Sequence, residues 1–166
     1  MISENSMAPA FHYAVTCVRP DGTIRWADEF DNLVTTVGKN DLLDKYFKGA
    51  SYSAAFYCGL INDTTYTGVD VGDTAASHAG WTESTDYDEA TRQVVVFGTA
   101  AAGSLATSAA SIFNINANDV IKGAFVITNN TKGGTSGVLY SAGLFTTGDR
   151  AALTGDIINV SITMSA

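Results

Sequence analysis

Alternation of apolar and polar residues with a period of two recurs along this chain of 166 residues. It is clear in residues 11–18, 23–30 and 157–164. Successive side chains of a strand point to opposite faces of a sheet, so this period is typical of strands with one buried face. Roughly eight such segments, with no repeating strand–helix–strand pattern, predict an all-β protein that folds as a single jelly-roll-like β-sandwich.

Short turns between alternating segments predict two hairpins. The first joins residues 11–18 to residues 23–30 around Pro20-Asp21-Gly22, where Pro presets φ and Gly accepts a positive φ. The second joins residues 112–117 to residues 120–128. The side chains predicted to face inward in the second hairpin are Ile121, Phe125 and Ile127.

The other strands are predicted from composition and alternation. Residues 52–60 are largely apolar on both faces, which is typical of a central strand. Strands are also predicted at residues 93–98, 139–145 and 157–164. Residues 99–111 consist mostly of small side chains, and we expect them to form an extended loop with weak strand character.

The longest connection between predicted strands runs from residue 62 to residue 84 and is rich in Asp, Thr and Gly. Its small-residue stretch at residues 74–78 has the composition of a single helical turn. Connections of this length are unusual in compact domains, so we expect this one to have a functional or an interfacial role.

One stretch replaces the strand pattern with a helical one. Asn40 is a suitable N-cap and Gly49 a suitable C′ residue, which predicts one short α-helix at about residues 40–48. The apolar residues that share one face of this helix are Leu42, Leu43, Tyr46 and Phe47. A helix of about two turns is not stable alone in water, so we expect the helix to dock on an end or edge of the sandwich.

Length and composition indicate one domain with its own core. The chain is 46% hydrophobic and 16% charged, a globular composition with a surface rich in uncharged polar residues. We expect a polar, flexible N-terminal arm at residues 1–10 and a single domain at residues 11–166. The first residues lack the basic and apolar regions of a secretory signal, which favours a soluble protein made in the cytosol.

Cys17 and Cys58 are the only cysteines, and each lies in an apolar strand pattern. We expect two buried free thiols, because the alternative, a disulfide, would need an oxidising compartment.

The formal net charge of −8 disfavours binding to nucleic acid or to an anionic membrane. Between Lys48 and Arg92 there are seven acidic residues but no Lys or Arg. Neutralising phosphates requires clustered basic residues, and spanning a membrane requires an apolar run of ~20 residues. The sequence has neither feature.

Patterns for catalysis or metal binding are weak. His12 lies in a strand opposite the apolar set, and no G-x-S-x-G turn accompanies His78. Asp63, Asp70 and Asp73 could offer oxygen ligands to Ca²⁺, but the spacing of an EF-hand loop is missing. We therefore expect a protein that is not an enzyme and has no cofactor, with a hydrolase that works through His78 as the alternative.

Several short segments taken together resemble a family of viral proteins. They are NLVTTVGKNDLLDKYF at residues 32–47, Gly80-Trp81-Thr82-Glu83 followed by Tyr87 and Arg92, the KGGT tip at residues 132–135, the strand at residues 139–145, and the closing Gly155-Asp156. In this combination the chain is similar to small structural proteins encoded in the head-gene regions of tailed bacteriophages. The likeness extends from about Tyr13 to Met164.

The resemblance implies a non-enzymatic structural protein of the virion. Proteins of this kind look like capsid cement or decoration proteins: jelly-roll domains, often trimeric, that bind the outside of the shell and stabilise it against the pressure of the packaged DNA. It therefore implies the major capsid protein as partner, a homotrimer, and a place on the capsid exterior after synthesis in the bacterial cytoplasm. The family has no catalytic residues to carry over.

The candidate interface residues are Phe11, Trp81, Tyr87 and Arg92. Aromatic side chains and Arg are enriched at interface hot spots, and Phe11 ends the arm, which could order on a neighbouring subunit. The alternative is intramolecular, with Trp81 in the core and Arg92 paired with Glu83 across neighbouring strands.

The alternative function is a receptor- or glycan-binding fibre or adhesin domain of the virion. Such a domain would use exposed aromatic side chains, for which the candidates are Trp26, Trp81, Tyr66 and Tyr87. Core packing is the other interpretation of Trp26.

Overall fold

The computed structural model describes residues 9–52 and 55–165. Within these residues the chain forms thirteen β-strands and one α-helix. In chain order they are β1 (Ala10–Val18), β2 (Ile24–Asp31), β3 (Leu33–Val34), α1 (Thr36–Phe47), β4 (Tyr57–Asn62), β5 (Thr82–Ser84), β6 (Gln93–Val94), β7 (Val96–Phe97), β8 (Ser104–Ala109), β9 (Ser111–Asn114), β10 (Asp119–Ile127), β11 (Leu139–Leu144), β12 (Arg150–Ala152) and β13 (Ile157–Ser165). Five of these strands have two or three residues, so eight longer strands make up most of the structure.

The strands form two antiparallel sheets that pack face to face. The first sheet has the order β2-β1-β13-β8-β7, with β9 also paired to β13. The second has the order β3-β11-β10-β4-β5, with β12 paired to β10 and β6 paired to β4. The prediction of an all-β sandwich with one helix is confirmed. Among the described residues, no helix has the length and apolar character needed to cross a membrane.

The inner core lies between the sheets and is centred on Tyr13 of β1. Its ring is fully buried and stacks on Phe30 of β2, with ring centroids 4.9 Å apart. Its hydroxyl hydrogen-bonds with the hydroxyl of Ser141 of the second sheet at 2.7 Å and accepts a bond from the Asn32 side chain at 3.1 Å. A buried polar group is thus satisfied where the two sheets meet.

An outer core covers the opposite face of the second sheet. The connection between β4 and β5 lies over this face and brings Trp81 within 5.1 Å of Phe125, measured between ring centroids. The indole N–H of Trp81 donates to Asp73 at 2.9 Å. This connection therefore has a packing role. The helical turn predicted at residues 74–78 is wrong, since Thr74 and Ser77 pair in an isolated bridge.

The predicted hairpin at residues 112–128 is also wrong. β9 pairs with β13 in the first sheet, whereas β10 pairs with β4 and β11 in the second. A shift of register between Ile121 and Gly123 also changes which side chains share a face. Ile121 lies in the inner core, while Phe125 and Ile127 lie in the outer core.

Three predicted segments differ in their boundaries. The central strand predicted at residues 52–60 is confirmed as buried and central but begins at Tyr57; residues 53 and 54 lie outside the described residues. Residues 104–109, predicted as part of an extended loop with weak strand character, form β8 because β13 supplies a partner strand. The strand predicted at residues 93–98 is divided, with β6 in the second sheet and β7 in the first.

At the N-terminus, residues 1–8 of the predicted arm lie outside the described residues. Ala10, predicted as the last residue of the arm, instead begins β1 and pairs with Ser165. Cys17 and Cys58 are free and buried, as predicted. Burial raises the pKa of the Cys17 thiol to about 12, so the thiol is protonated and unreactive at neutral pH.

An ionic cluster links β2 to the second sheet. The Asp28 carboxylate accepts hydrogen bonds from the backbone and hydroxyl of Thr146, the hydroxyl of Thr147 and the guanidinium of Arg150. Burial of Asp28 opposes ionisation, but the hydrogen bonds outweigh it and lower the pKa of Asp28 to about 2.

The Asp28 cluster should make the fold acid-sensitive. Because the folded pKa is about 2 and an unfolded Asp has a pKa of about 3.9, the unfolded state binds this proton first as the pH falls. The contribution of Asp28, about 2 kcal/mol, is present above about pH 4 and is lost between about pH 4 and pH 2. Asp28→Asn should lower the free energy of unfolding at pH 7 and weaken its pH dependence in this range, as measured by urea unfolding.

The control is Asp31→Asn, which removes an exposed carboxylate from the same strand. It should leave the free energy of unfolding nearly unchanged. An Asp28→Asn variant that loses as much stability between pH 4 and pH 2 as the parent chain would contradict the assignment.

Candidate functional site: an apolar groove beside the helix

The side chains of the four candidate interface residues are all buried in the folded chain. The exposed fraction is 3% for Phe11, 4% for Trp81, zero for Tyr87 and 3% for Arg92. Phe11 and Tyr87 belong to the inner core and Trp81 to the outer core. The contacts of these side chains are therefore intramolecular, and an interface role for them stays a prediction.

Arg92 and Glu83 form the intramolecular ion pair that was the alternative prediction. Two guanidinium nitrogens of Arg92 donate to the two carboxylate oxygens of Glu83, at 2.9 and 2.7 Å. Arg92 also donates to the carbonyl oxygens of Asn129 and Gly134, and Glu83 accepts from the backbone N–H of Gly133. The pair thus fixes the KGGT tip against β5.

Four of the side chains considered above for catalysis or metal binding make contacts with other groups of this chain. His12 lies beside two exposed carboxylates of β2, and His78 stacks on Trp81 and lies 3.0 Å from its carbonyl oxygen. Asp70 and Asp73 accept hydrogen bonds from backbone N–H groups of their own loop. In the part of the chain that the structure describes, no group of three or more His, Cys, Asp or Glu residues is placed to hold a metal ion.

A groove of about 600 Å³ lies at one end of the sandwich. At this end of the sandwich, Phe11 of β1 pairs with Met164 of β13, and both line the groove. The Pro20–Gly22 turn is at the opposite end, beyond the pair formed by Val18 and Ile157. The lining of the groove consists of Pro9, Phe11, Val34, Gly38, Leu42, Lys45, Tyr46, Tyr52, Phe56, Val94, Val95, Val96, Phe97, Gly98, Leu105, Tyr140 and Met164. Nearly all of these side chains are apolar or aromatic, and the volume is within the range of binding sites.

One wall of the groove is α1, which Thr35 and Gly38 hold against the second sheet. The Thr35 hydroxyl caps the helix by accepting from the N–H of Gly38 at 3.1 Å. Gly38 packs so closely that a Cβ there would lie 2.8 Å from Cα of Tyr140. The hydroxyl of Tyr140 in turn donates to Asp41 on the next turn of the helix.

The helix begins at Thr36, four residues before the predicted start at Asn40, because Thr35 and not Asn40 is the N-cap. It ends at Phe47, close to the predicted end. Gly49 has a φ of +73°, as expected for the predicted C′ residue.

The helix docks at one end of the sandwich, as predicted, but it does not dock through its apolar face. The side that contacts the sheet carries Gly38 and Asp41, which turns much of the apolar face outward. The exposed fractions are 40% for Leu42, 54% for Leu43, 79% for Tyr46 and 71% for Phe47. The rings of Tyr46 and Phe47 contact each other edge to face, with centroids 5.0 Å apart.

Exposed apolar side chains continue across the groove from the helix. Tyr52 is 74% exposed, and Val94 and Val96 are 53% and 45% exposed. We call the groove together with the exposed apolar residues of α1 the groove face. Its exposed members in the groove lining are Leu42, Tyr46, Tyr52, Val94 and Val96. Leu43 and Phe47 are its other exposed members on α1. Extended apolar patches of this kind mark sites of interaction with other molecules.

The charges beside the groove face are nearly balanced. Lys45 lies 3.6 Å from Asp41, and Lys48 lies 3.6 Å from Asp44. With Lys39, residues 36–48 carry three lysines and two aspartates, a net charge of +1, in a chain of net charge −8. The groove face is therefore flanked by a surface far less acidic than the chain as a whole.

The sequence pattern indicated the apolar residues of the helix, but Tyr52, Val94 and Val96 were not predicted to belong to a functional surface. The sequence does contain a signal for the exposure of Val94 and Val96. Val94, Val95 and Val96 are consecutive, and alternating strand geometry cannot direct all three side chains to one core. Val95 is buried and its two neighbours point outward.

Comparison of the chain with protein-family models found no matching family, and comparison with curated proteins found no match either.

Gly38→Ala tests how the helix is held. An added Cβ would lie 2.8 and 2.9 Å from backbone atoms of Tyr140, closer than normal contact allows. The overpacking should outweigh the helix propensity that Ala gains, so we expect a net loss of about 1 kcal/mol or more in unfolding free energy. Thermal unfolding followed by circular dichroism measures it.

Asn40→Ala is the matched control, because residue 40 is exposed on the same helix. It should leave stability unchanged or slightly raised. A Gly38→Ala chain that is as stable as the Asn40→Ala chain would show that Gly38 does not fix the helix.

Proposed function

We propose that this chain is a non-enzymatic structural protein of a bacteriophage virion, a decoration protein that binds the outer surface of the major capsid protein shell and stabilises it. The observation that carries the proposal is the groove face. Aromatic and aliphatic side chains exposed together around a groove are what a chain that works by binding other protein surfaces requires.

The virion setting comes from the resemblance of the segments at residues 32–47, 80–92 and 132–135 to phage head proteins. The resemblance also supplies the major capsid protein as partner and a homotrimer as the assembled form. The architecture is compatible with this role, since a sandwich with two cores is a rigid support for a binding surface.

Charge supports a location outside the shell. A chain of net charge −8 is repelled by packaged DNA, and it would be steered toward basic patches on a shell protein.

The second candidate is a glycan- or receptor-binding fibre domain, and one observation favours it. Tyr46 and Tyr52 are exposed aromatic side chains beside a groove, which suits stacking against sugar rings. Of the aromatic candidates named from the sequence, Trp81 and Tyr87 are buried and cannot serve as such a platform.

Binding to phage heads tests the proposal. The purified chain is added to mature heads from which this protein has been stripped, and the bound copies are counted after sedimentation. We expect saturable binding at many copies per head and a higher temperature of head disruption, because a cementing protein stabilises the shell that it binds.

The same heads incubated with an unrelated acidic protein of similar size give the control for non-specific binding. Binding of only a few copies, or none, would contradict a decoration role. Affinity for a host polysaccharide in a glycan array would then favour the fibre domain.

A further inference from the structure

The groove face combines a concave and a protruding part. The groove itself is about 600 Å³ in volume, and Tyr46 and Tyr52 at its edge are 79% and 74% exposed. Phe47, 71% exposed, packs against Tyr46 and extends the protruding part. A surface that carries both a hollow and a projection of apolar side chains can be complementary to itself.

The exposed area is sufficient for a specific protein contact. An aromatic side chain has ~200 Å² of surface, so the exposed fractions of Tyr46, Phe47 and Tyr52 correspond to roughly 450 Å². Four partly exposed aliphatic side chains and the groove lining add to this. The total approaches the ~800 Å² that each partner contributes to a standard interface.

Charge favours a second copy of this chain as the occupant. Two chains of net charge −8 repel each other over most of their surface. Residues 36–48 are the exception, because their three lysines and two aspartates give a net charge of +1. When two such helices approach, lysines of one copy can lie opposite aspartates of the other.

We infer that the groove face is the surface through which copies of this chain contact one another, with the aromatic projection at Tyr46 and Phe47 of one copy packed over the groove of its neighbour. The inference deepens the proposed function, since it rests on a decoration protein that self-associates and names the surface responsible.

The test is the mass of the full chain in solution, measured by analytical ultracentrifugation over a range of concentrations up to about 100 µM. We expect the parent chain to form a species of more than one copy. Replacing both aromatics of the projection, Tyr46→Ser with Phe47→Ser, should weaken association roughly tenfold or more, because the contact loses its apolar projection.

Ile24→Ser is the matched control. Ile24 is apolar and 60% exposed, but it follows the Pro20–Gly22 turn at the opposite end of the sandwich. Association of this variant should equal that of the parent chain. Circular dichroism of all variants checks that the sandwich is intact, as expected for substitutions at exposed positions.

Three outcomes would overturn the inference. They are a parent chain that stays monomeric, a double variant that associates as strongly as the parent chain, and an Ile24→Ser variant that weakens association as much as the double variant. A fourth comparison identifies a different occupant. If the double variant associates normally but no longer binds stripped heads, the shell protein and not a second copy covers the groove face.

Two results distinguish the self-contact from the decoration role. A parent chain that binds heads saturably but stays monomeric leaves the decoration role standing without the self-contact. A parent chain that associates through the groove face but does not bind heads leaves the self-contact standing without the decoration role.

Discussion

Burial of the apolar face of one sheet against that of the other is the constraint on which the rest of this structure depends. Tyr13 shows how closely the two sheets are matched, because its ring stacks within the first sheet while its hydroxyl bonds to Ser141 of the second. Among the described residues, the chain passes from one sheet to the other after β2, β6, β9 and β12. The crossing between β6 and β7 places Val95 in the inner core and leaves Val94 and Val96 outside it, on one side of the groove.

The two ends of the sandwich are closed in different ways. At the turn end, the fully buried carboxylate of Asp156 pairs with Arg25 at 2.6 Å and accepts from the backbone of Leu153. The outer face of the second sheet is likewise covered, with the Glu83–Arg92 pair and the Trp81–Asp73 hydrogen bond satisfying the buried polar groups. At the groove end, the helix contacts the sheet through Gly38 and presents aromatic side chains to solvent. This contrast is why we assign intermolecular contact to the groove face.

The sequence pattern correctly predicted those strands whose formation depends mainly on residues nearby in the sequence. Alternation located β1, β2 and β13, and the Pro20–Gly22 turn predicted the first hairpin, because neighbouring strands of a hairpin are also neighbours in sequence. The second predicted hairpin failed because β9 takes its partner from β13, more than forty residues away. The segment of β8 was predicted as an extended loop with only weak strand character for the same reason, since a distant partner stabilises a segment of low strand propensity.

The burial of the candidate interface residues was not predictable from the sequence. Trp81, Tyr87 and Arg92 belong to residue types that serve equally in cores and at interfaces, and only the three-dimensional structure shows that they are buried within the chain. The apolar residues of the helix were found, but their orientation depends on the close packing of Gly38 on Tyr140, which no local pattern encodes. The groove is formed by segments from five or more parts of the chain. No single segment could therefore predict it from its sequence.

Hydrogen–deuterium exchange tests most directly whether the groove face is where this chain meets other copies. Exchange is compared between the dilute chain and the concentrated, associated chain. We expect slower exchange in peptides covering residues 41–52 and 93–98 on association, with no change at residues 19–24. Protection at residues 19–24 instead, or equal exchange of the groove face in the two states, would contradict a self-contact through the groove face.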